Sequence, residues 1–394
     1  MMGRLPEGVY AELDDRLGPV DATLRARYPG GRGRRQPVHT VYVPADRVRP
    51  GLVDEWGAAA LRALTEHPPL PFAAELSDRV IAKLRREPIE DLRIDFEDGY
   101  GVRDDDTEDA AARSSVAALR EGTVPPFLGL RIKSLEAATR RRAVRTLDAF
   151  LEAYLGAFAT VPDTFVITLP KVSAPEQVDA MALLCKRLER AYGLPAGALR
   201  FEVQVETPAA VLGADGTATV ARLITAGGTR LSALHYGTYD YSAACGVAAA
   251  QQSLAHPVAD HAKAVMQAAA AGTGVLLSDG STNVLPVGGT AAVQAAWRLH
   301  AGLVRRSLEA GFYQGWDLHP AQLPTRFAAT YAFFRDGAAA AADRLVRYLE
   351  RRAGGVLDEP ATARALAGFL LRGLDCGALD PAEVGFARDD VEAL

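Results

Sequence analysis

Eight short segments rich in Val, Ile, Leu and Phe recur along the chain: VHTVYV (38–43), DLRIDF (91–96), FLGLRI (127–132), TFVITL (164–169), LRFEVQV (199–205), LSALHY (231–236), GVLLSD (274–279) and GFYQGWDL (311–318). After the first, they begin at intervals of about 30 to 45 residues, and most gaps carry helical patterns, which is the rhythm of repeated βα units. In 135–158, for example, Val144, Leu147, Leu151, Tyr154 and Phe158 fall three and four apart and make one apolar stripe. Met181, Leu184 and Cys185 repeat the pattern within 178–188. The strands read as apolar runs more than as alternations, as strands covered on both faces should, and such strands run parallel. Eight units of this kind predict a closed (β/α)8 barrel, with an open doubly wound sheet as the alternative.

The barrel is expected over 37–325, preceded by an N-terminal segment, 1–36, and followed by a helical C-terminal extension, 326–394, able to cap the barrel or to pack on a neighbouring subunit. The long first gap predicts two extra helices, near 53–64 and 74–86. A hydrophobic share of 49% over 394 residues suffices for a large core. The net charge of −5 gives no general electrostatic reason to bind nucleic acid or an anionic membrane, so a small-molecule substrate is the expectation. Cys185, Cys245 and Cys376 are scattered and odd in number, which points to a reducing, cytoplasmic setting. No run of about 18 apolar residues and no signal-like N-terminus occurs, so neither membrane spanning nor export is expected.

In a (β/α)8 enzyme the chemistry sits where the strands end. The second strand ends in Asp95, Glu97 and Asp98; the third carries Arg131 and Lys133, the fourth Lys171, the fifth Glu206, the sixth Asp240, and the eighth Asp317 and His319. Six of the eight strands thus deliver an ionisable group to one end. Charged groups are seldom buried without partners, and their convergence reads as a site. Each also has a bland reading. Asp104, Asp105 and Asp106 read as helix-capping or solvated residues, and Lys171 and His319 suit structural hydrogen bonds as well as substrate contact. Glu206 follows an apolar run and precedes Thr-Pro, so nothing nearby in sequence accounts for it.

Glu206 and Asp240, from adjacent strands, would make a hard-cation site suited to Mg²⁺ or Mn²⁺. His256 and His261 lie five apart, which does not place both on one helical face for zinc. GGRGRR (30–35) lacks the GK[ST] ending of a phosphate loop and no GxGxxG follows a strand, so neither a nucleotide kinase nor a dinucleotide-binding dehydrogenase is indicated.

Taken together, DFED, LRIK, LPKV, VETP, GTYD and DLHPAQ, in that order along the chain, resemble the motifs of the superfamily of citrate lyase β-subunits, malyl-CoA lyases and HpcH/HpaI aldolases, with this chain as a divergent member. The resemblance implies a (β/α)8 barrel that makes or breaks a carbon–carbon bond next to a carbonyl. It implies Glu206 and Asp240 as Mg²⁺ ligands and Arg131 against the reacting oxygen. It also implies a homo-oligomer in which one subunit's C-terminal segment covers the next subunit's site. The first-strand run RRQPVHTVYVPADR departs from the Arg-Ser and Val-Pro-Gly elements of the lyases that use coenzyme A, which tilts the expectation from a thioester towards a free 2-oxo or 3-hydroxy acid.

On that reading, Arg131 stabilises the developing enolate, and one of Asp95, Glu97 and Asp98 moves the substrate proton. Crowding of those acids should raise at least one of their pKa values. Substrate contacts are expected from Lys171, Thr207, the backbone around Gly237 and Thr238, and His319. The alternatives are a barrel that handles phosphoenolpyruvate or pyruvate for phosphoryl transfer, and a catalytically silent subunit.

Overall fold

A computed structural model describes residues 5, 6, 8–31, 33–350, 359–386 and 388. Parts of the expected N-terminal segment and C-terminal extension therefore lie outside the described residues. The eight strands form: β1 (His39–Pro44), β2 (Asp91–Asp95), β3 (Phe127–Arg131), β4 (Phe165–Leu169), β5 (Arg200–Val205), β6 (Leu231–Tyr236), β7 (Leu276–Ser278) and β8 (Gly315–Asp317). All pairings are parallel, in the order β7-β6-β5-β4-β3-β2-β1-β8. The Ser278–Gln314 bridge and the bond from Asp279 N–H to Gln314 O, 2.8 Å, join β7 to β8 and close the barrel. The sheet is thus the expected (β/α)8 barrel, and the open doubly wound alternative falls away.

The helices that follow the strands bury the expected stripes. Leu147, Leu151 and Tyr154 face inward from the helix Arg140–Phe158, and Met181 and Cys185 from Pro175–Tyr192. Asp104 caps the helix Asp105–Glu121 by accepting from Thr107 N–H. Both extra helices of the first gap are present, as Leu52–Glu66 and Ser77–Arg86. They pack with Leu323–Leu349 and Pro360–Cys376 into a second apolar core that holds Trp297, Phe327, Tyr331, Phe334 and Leu370, outside the barrel's own.

One strand feature differs from the expectation of apolar runs. In β2, Leu92 and Ile94 join the outer core while Asp91, Arg93 and Asp95 point into the barrel; in β5, Phe201, Val203 and Val205 face out while Glu202 and Gln204 face in. The inward orientation follows chiefly from contacts across the lumen between strands that are not neighbours, β2 with β5 and β6 with β8. Arg93 of β2 makes a two-point pair with Glu202 of β5 (Nε–Oε1 3.1 Å, Nη2–Oε2 3.0 Å) and also reaches Asp91. Thr168 of β4 donates to Glu202 at 2.5 Å, and Trp316 of β8 donates to His235 of β6 at 3.2 Å. Burial pushes the Glu202 carboxyl up, but Arg93 and His235 outweigh it and hold the group well below its ordinary value. The lumen is a paired ionic network.

Candidate active site

The mouth of the barrel is built from strand ends in register. Asp95 and Arg131 are partners in the β2–β3 ladder, and their side chains meet as a fork: Arg131 Nε to Asp95 Oδ1 at 2.7 Å and Nη2 to Oδ2 at 2.8 Å. Asp95 also accepts from Glu97 N–H at 2.9 Å and Gly99 N–H at 3.0 Å, so four donors hold it. Such a carboxylate positions its arginine. The third guanidinium nitrogen, Nη1, lies 3.1 Å from Glu97, and the Tyr42 ring covers the guanidinium with its centroid 4.8 Å away. Gln204 accepts weakly from Nη1 at 3.5 Å, while its own buried Nε2 has no hydrogen-bond partner among the described residues. An unused amide donor beside an arginine is suited to a substrate oxygen.

Beside this fork lies a second cluster, centred on Lys171. Its ammonium lies 2.9 Å from Asp240, 3.0 Å from Asp98, 3.6 Å from Glu97 and 3.7 Å from Glu206. Burial depresses the ammonium's pKa, but the surrounding carboxylates, Glu206 foremost, more than reverse this, so Lys171 stays charged. Its backbone is left-handed, with φ of 52°, and its N–H donates to Glu206 Oε1 at 2.7 Å. A non-glycine residue held there is strained, and that bond is part of what holds it. Glu206 is almost fully buried, with its carboxyl raised by burial against the pull of Lys171.

Among the three acids of β2, one pKa does rise, though not chiefly from crowding. Glu97 is pushed up to about 7, first by burial, against Arg131 and Lys171, with Asp98 and Glu206 adding to the rise. Asp98 is more exposed. Burial raises it too, but its bond to Lys171 wins and leaves it below the ordinary value.

The other expected residues have hydrogen-bond partners of their own. Lys133 turns away, donating to Phe96 O at 2.6 Å and Glu108 at 2.8 Å. Asp317 is buried between His39, His300 and Arg326, a structural node. Thr207 caps the short helix Pro208–Val211 and donates to Val172 O at 2.7 Å. The Gly237 N–H is spent on Val205 O at 3.0 Å, and the Thr238 hydroxyl accepts from Ser281 N–H at 3.2 Å. His319 Nδ1 accepts from Ala321 N–H at 3.2 Å, and burial lowers its pKa.

His319 and Tyr42 also line a cavity of about 700 Å³ that the sequence did not announce, together with Trp56, Arg47, Arg49 and Arg62. Arg49 is paired with Glu55, whereas Arg47 and Arg62 make no side-chain ion pair among the described residues. Tyr42 forms a wall common to this cavity and to Arg131.

For a divalent cation, the donor chemistry fits. Glu206, just after β5, and Asp240, in the helix Thr238–Ala244 that follows β6, converge on one cationic centre, as hard oxygens that would leave room for waters. That centre is at present the Lys171 ammonium, and no group of three or more His, Cys, Asp or Glu side chains among the described residues is arranged to hold a metal.

Fold and mouth together define a (β/α)8 barrel whose ionisable groups gather at the C-terminal ends of its strands. The chain belongs to the family described as Domain of unknown function (DUF6986), whose model matches residues 17–394. Among solved structures, a malate synthase of Haloferax volcanii aligns with a TM-score of 0.53 at 15% identity, over 80% of this chain and 85% of that one. CitE of Mycobacterium tuberculosis, solved with magnesium, acetoacetate and coenzyme A, aligns with a TM-score of 0.53 at 18% identity, over 88% and 99%. The shared fold is the one the motif resemblance implied. A search of curated protein sequences finds no match.

Proposed function

We propose that this protein is a carbon–carbon lyase or aldolase acting on a 2-oxo or 3-hydroxy acid through an enolate, with Glu206 and Asp240 holding Mg²⁺ or Mn²⁺. The observation that carries the reading is the Arg131 fork. A permanently charged group is locked by Asp95, backed by Tyr42, and flanked by the unpartnered Gln204 amide and by a carboxyl that titrates near neutrality. The likeness to CitE and malate synthase supports it as a likeness of fold.

When bound, the cation would act as a Lewis acid towards a substrate carbonyl. Arg131 and Gln204 would donate to the oxygen that gains charge as the bond breaks, from positions set before the reaction begins. In the cleavage direction, Glu97 would accept the substrate hydroxyl proton, the carbon–carbon bond would break, and its electron pair would become the enolate facing Arg131. A pKa near 7 suits that transfer. Lys171 would move off the carboxylates to admit the cation and could then meet the substrate carboxylate. The cavity bearing Arg47, Arg62 and Trp56 is suited to the remote, anionic end of the substrate, whether a free acid or a coenzyme A thioester. In this role Asp95 is a positioning residue.

The test is Mg²⁺-dependent turnover of pyruvate with an aldehyde panel, alongside cleavage of malyl- and citramalyl-coenzyme A, in wild type and Glu206→Gln. Turnover lost in the variant supports the reading, and the responding panel decides the thioester question. Absence of turnover in both panels, with cation binding unchanged by the substitution, refutes it.

A further inference from the structure

The N-terminal helix Gly8–Arg27 buries none of its residues against the barrel. Among the described residues its hydrogen bonds to the barrel lie at and just beyond its C-terminal end: Arg27 donates to Thr225 Oγ1 at 2.6 Å, and Gly30 N–H to Gly272 O at 2.9 Å. Both anchors precede strands, β6 and β7, so the helix leaves from the end of the barrel opposite the catalytic mouth. A lone helix of 20 residues is marginal in water, and this one carries Gly18 and Pro19 at its middle.

Its apolar side chains are not scattered. Tyr10, Leu13, Leu17, Val20 and Leu24 recur at spacings of 3, 4, 3 and 4, and each is 48% to 55% exposed. That is the a/d seam of a two-stranded helix pair, with Tyr10, Leu17 and Leu24 at a and Leu13 and Val20 at d. The flanking charges choose between orientations. Asp14 and Asp21 occupy the e positions and Arg16 a g position, and neither Arg16 nor Asp21 has an ion-pair partner among the described residues. Antiparallel pairing would set Asp14 opposite Asp21 of the other copy. Parallel pairing sets Arg16 against Asp21 of the other copy, twice by symmetry.

We propose that the helix Gly8–Arg27 is an assembly arm, which pairs in parallel with the same helix of a second copy of this chain. The pairing covers the stripe, matches the flanking charges, and leaves both catalytic mouths open at the far ends of the barrels. It does not depend on the reaction proposed above.

Sedimentation equilibrium of the full chain across the micromolar range tests this. The wild type should sediment as a dimer or a multiple of one, and Leu17→Asp/Leu24→Asp should halve the mass. The thermal midpoint of the barrel should stay unchanged, because Leu17 and Leu24 are not buried against it. Arg16→Glu should weaken association several-fold, and Arg16→Glu/Asp21→Arg should restore it. A wild type that sediments as one copy leaves the stripe to another occupant and overturns the proposal. So does an assembly whose mass the leucine substitutions do not change. A charge-swapped double variant that associates no better than Arg16→Glu overturns the parallel register.

Discussion

Arg131 is gripped by Asp95, Glu97 and the face of Tyr42, so its replacement tests geometry as much as charge. Arg131→Lys keeps the charge but loses the fork to Asp95; it should lower kcat by roughly 10²–10³ while the chain stays folded. Lys171 makes the opposite kind of prediction. If its ammonium competes for the cation's place, Lys171→Met should tighten Mn²⁺ binding by about tenfold, read by calorimetric titration; weaker binding would make Lys171 a helper instead. Glu97 predicts a pH effect with a definite sign. Its carboxyl titrates near 7 when folded and near its ordinary 4.5 when unfolded, so between those values the folded chain binds more protons. Stability from this group is therefore greatest below about 4.5 and falls as pH rises to about 7. In metal-free protein, Glu97→Gln should reduce the drop in melting temperature between about pH 5 and about pH 7.5, and an unchanged drop would show that burial of Glu97 does not control it. The ionisable residues at the mouth were legible in the sequence because a parallel barrel collects strand ends in one place. Their division of labour was not. That Asp95 is saturated while Glu97 is raised depends on which carboxylate the backbone N–H groups of Glu97 and Gly99 reach.

At the level of elements, the eight strands and their parallel order were legible from spacing alone, because each βα unit repeats one length and one alternation of patterns. The polar lumen was not read, although DLRID and RFEVQVE alternate cleanly. The intervening Asp, Arg, Glu and Gln make each segment look like a strand with stray charges, until partners from the far side of the barrel supply the counter-charges. Gly129 in β3 belongs to the same arrangement. A Cβ there would fall 1.8 Å from Val166 O and 3.2 Å from the Arg93 side chain. Gly129→Ala should therefore destabilise the barrel by about 2–4 kcal/mol, measured by chemical denaturation, as overpacking against the backbone of β4 and a lumen side chain.

On the scale of the whole molecule, the C-terminal helices are structural partners of the barrel rather than an appendage. Leu370 and Phe369 of Pro360–Cys376 pack with Phe334 and Leu345 of Leu323–Leu349, and Tyr331 donates to Cys376 O at 3.1 Å. Ending the chain at residue 358 should expose that core and give protein that aggregates on expression, whereas soluble protein with a full-length melting temperature would show the core to be dispensable. Sequence composition announced these helices, but not the second core, because their partners at Leu52–Glu66 and Ser77–Arg86 lie some 240 or more residues earlier in the chain. The Asp95–Arg131 fork has a further consequence at this scale. Because the two residues face each other as ladder partners, Arg131 takes its place from the sheet and from the turn after β2 that holds Asp95 and supplies Glu97. Such a molecule is open to grafting: the connections after β1 and β7 can be exchanged between relatives, with the arginine left where the strands put it.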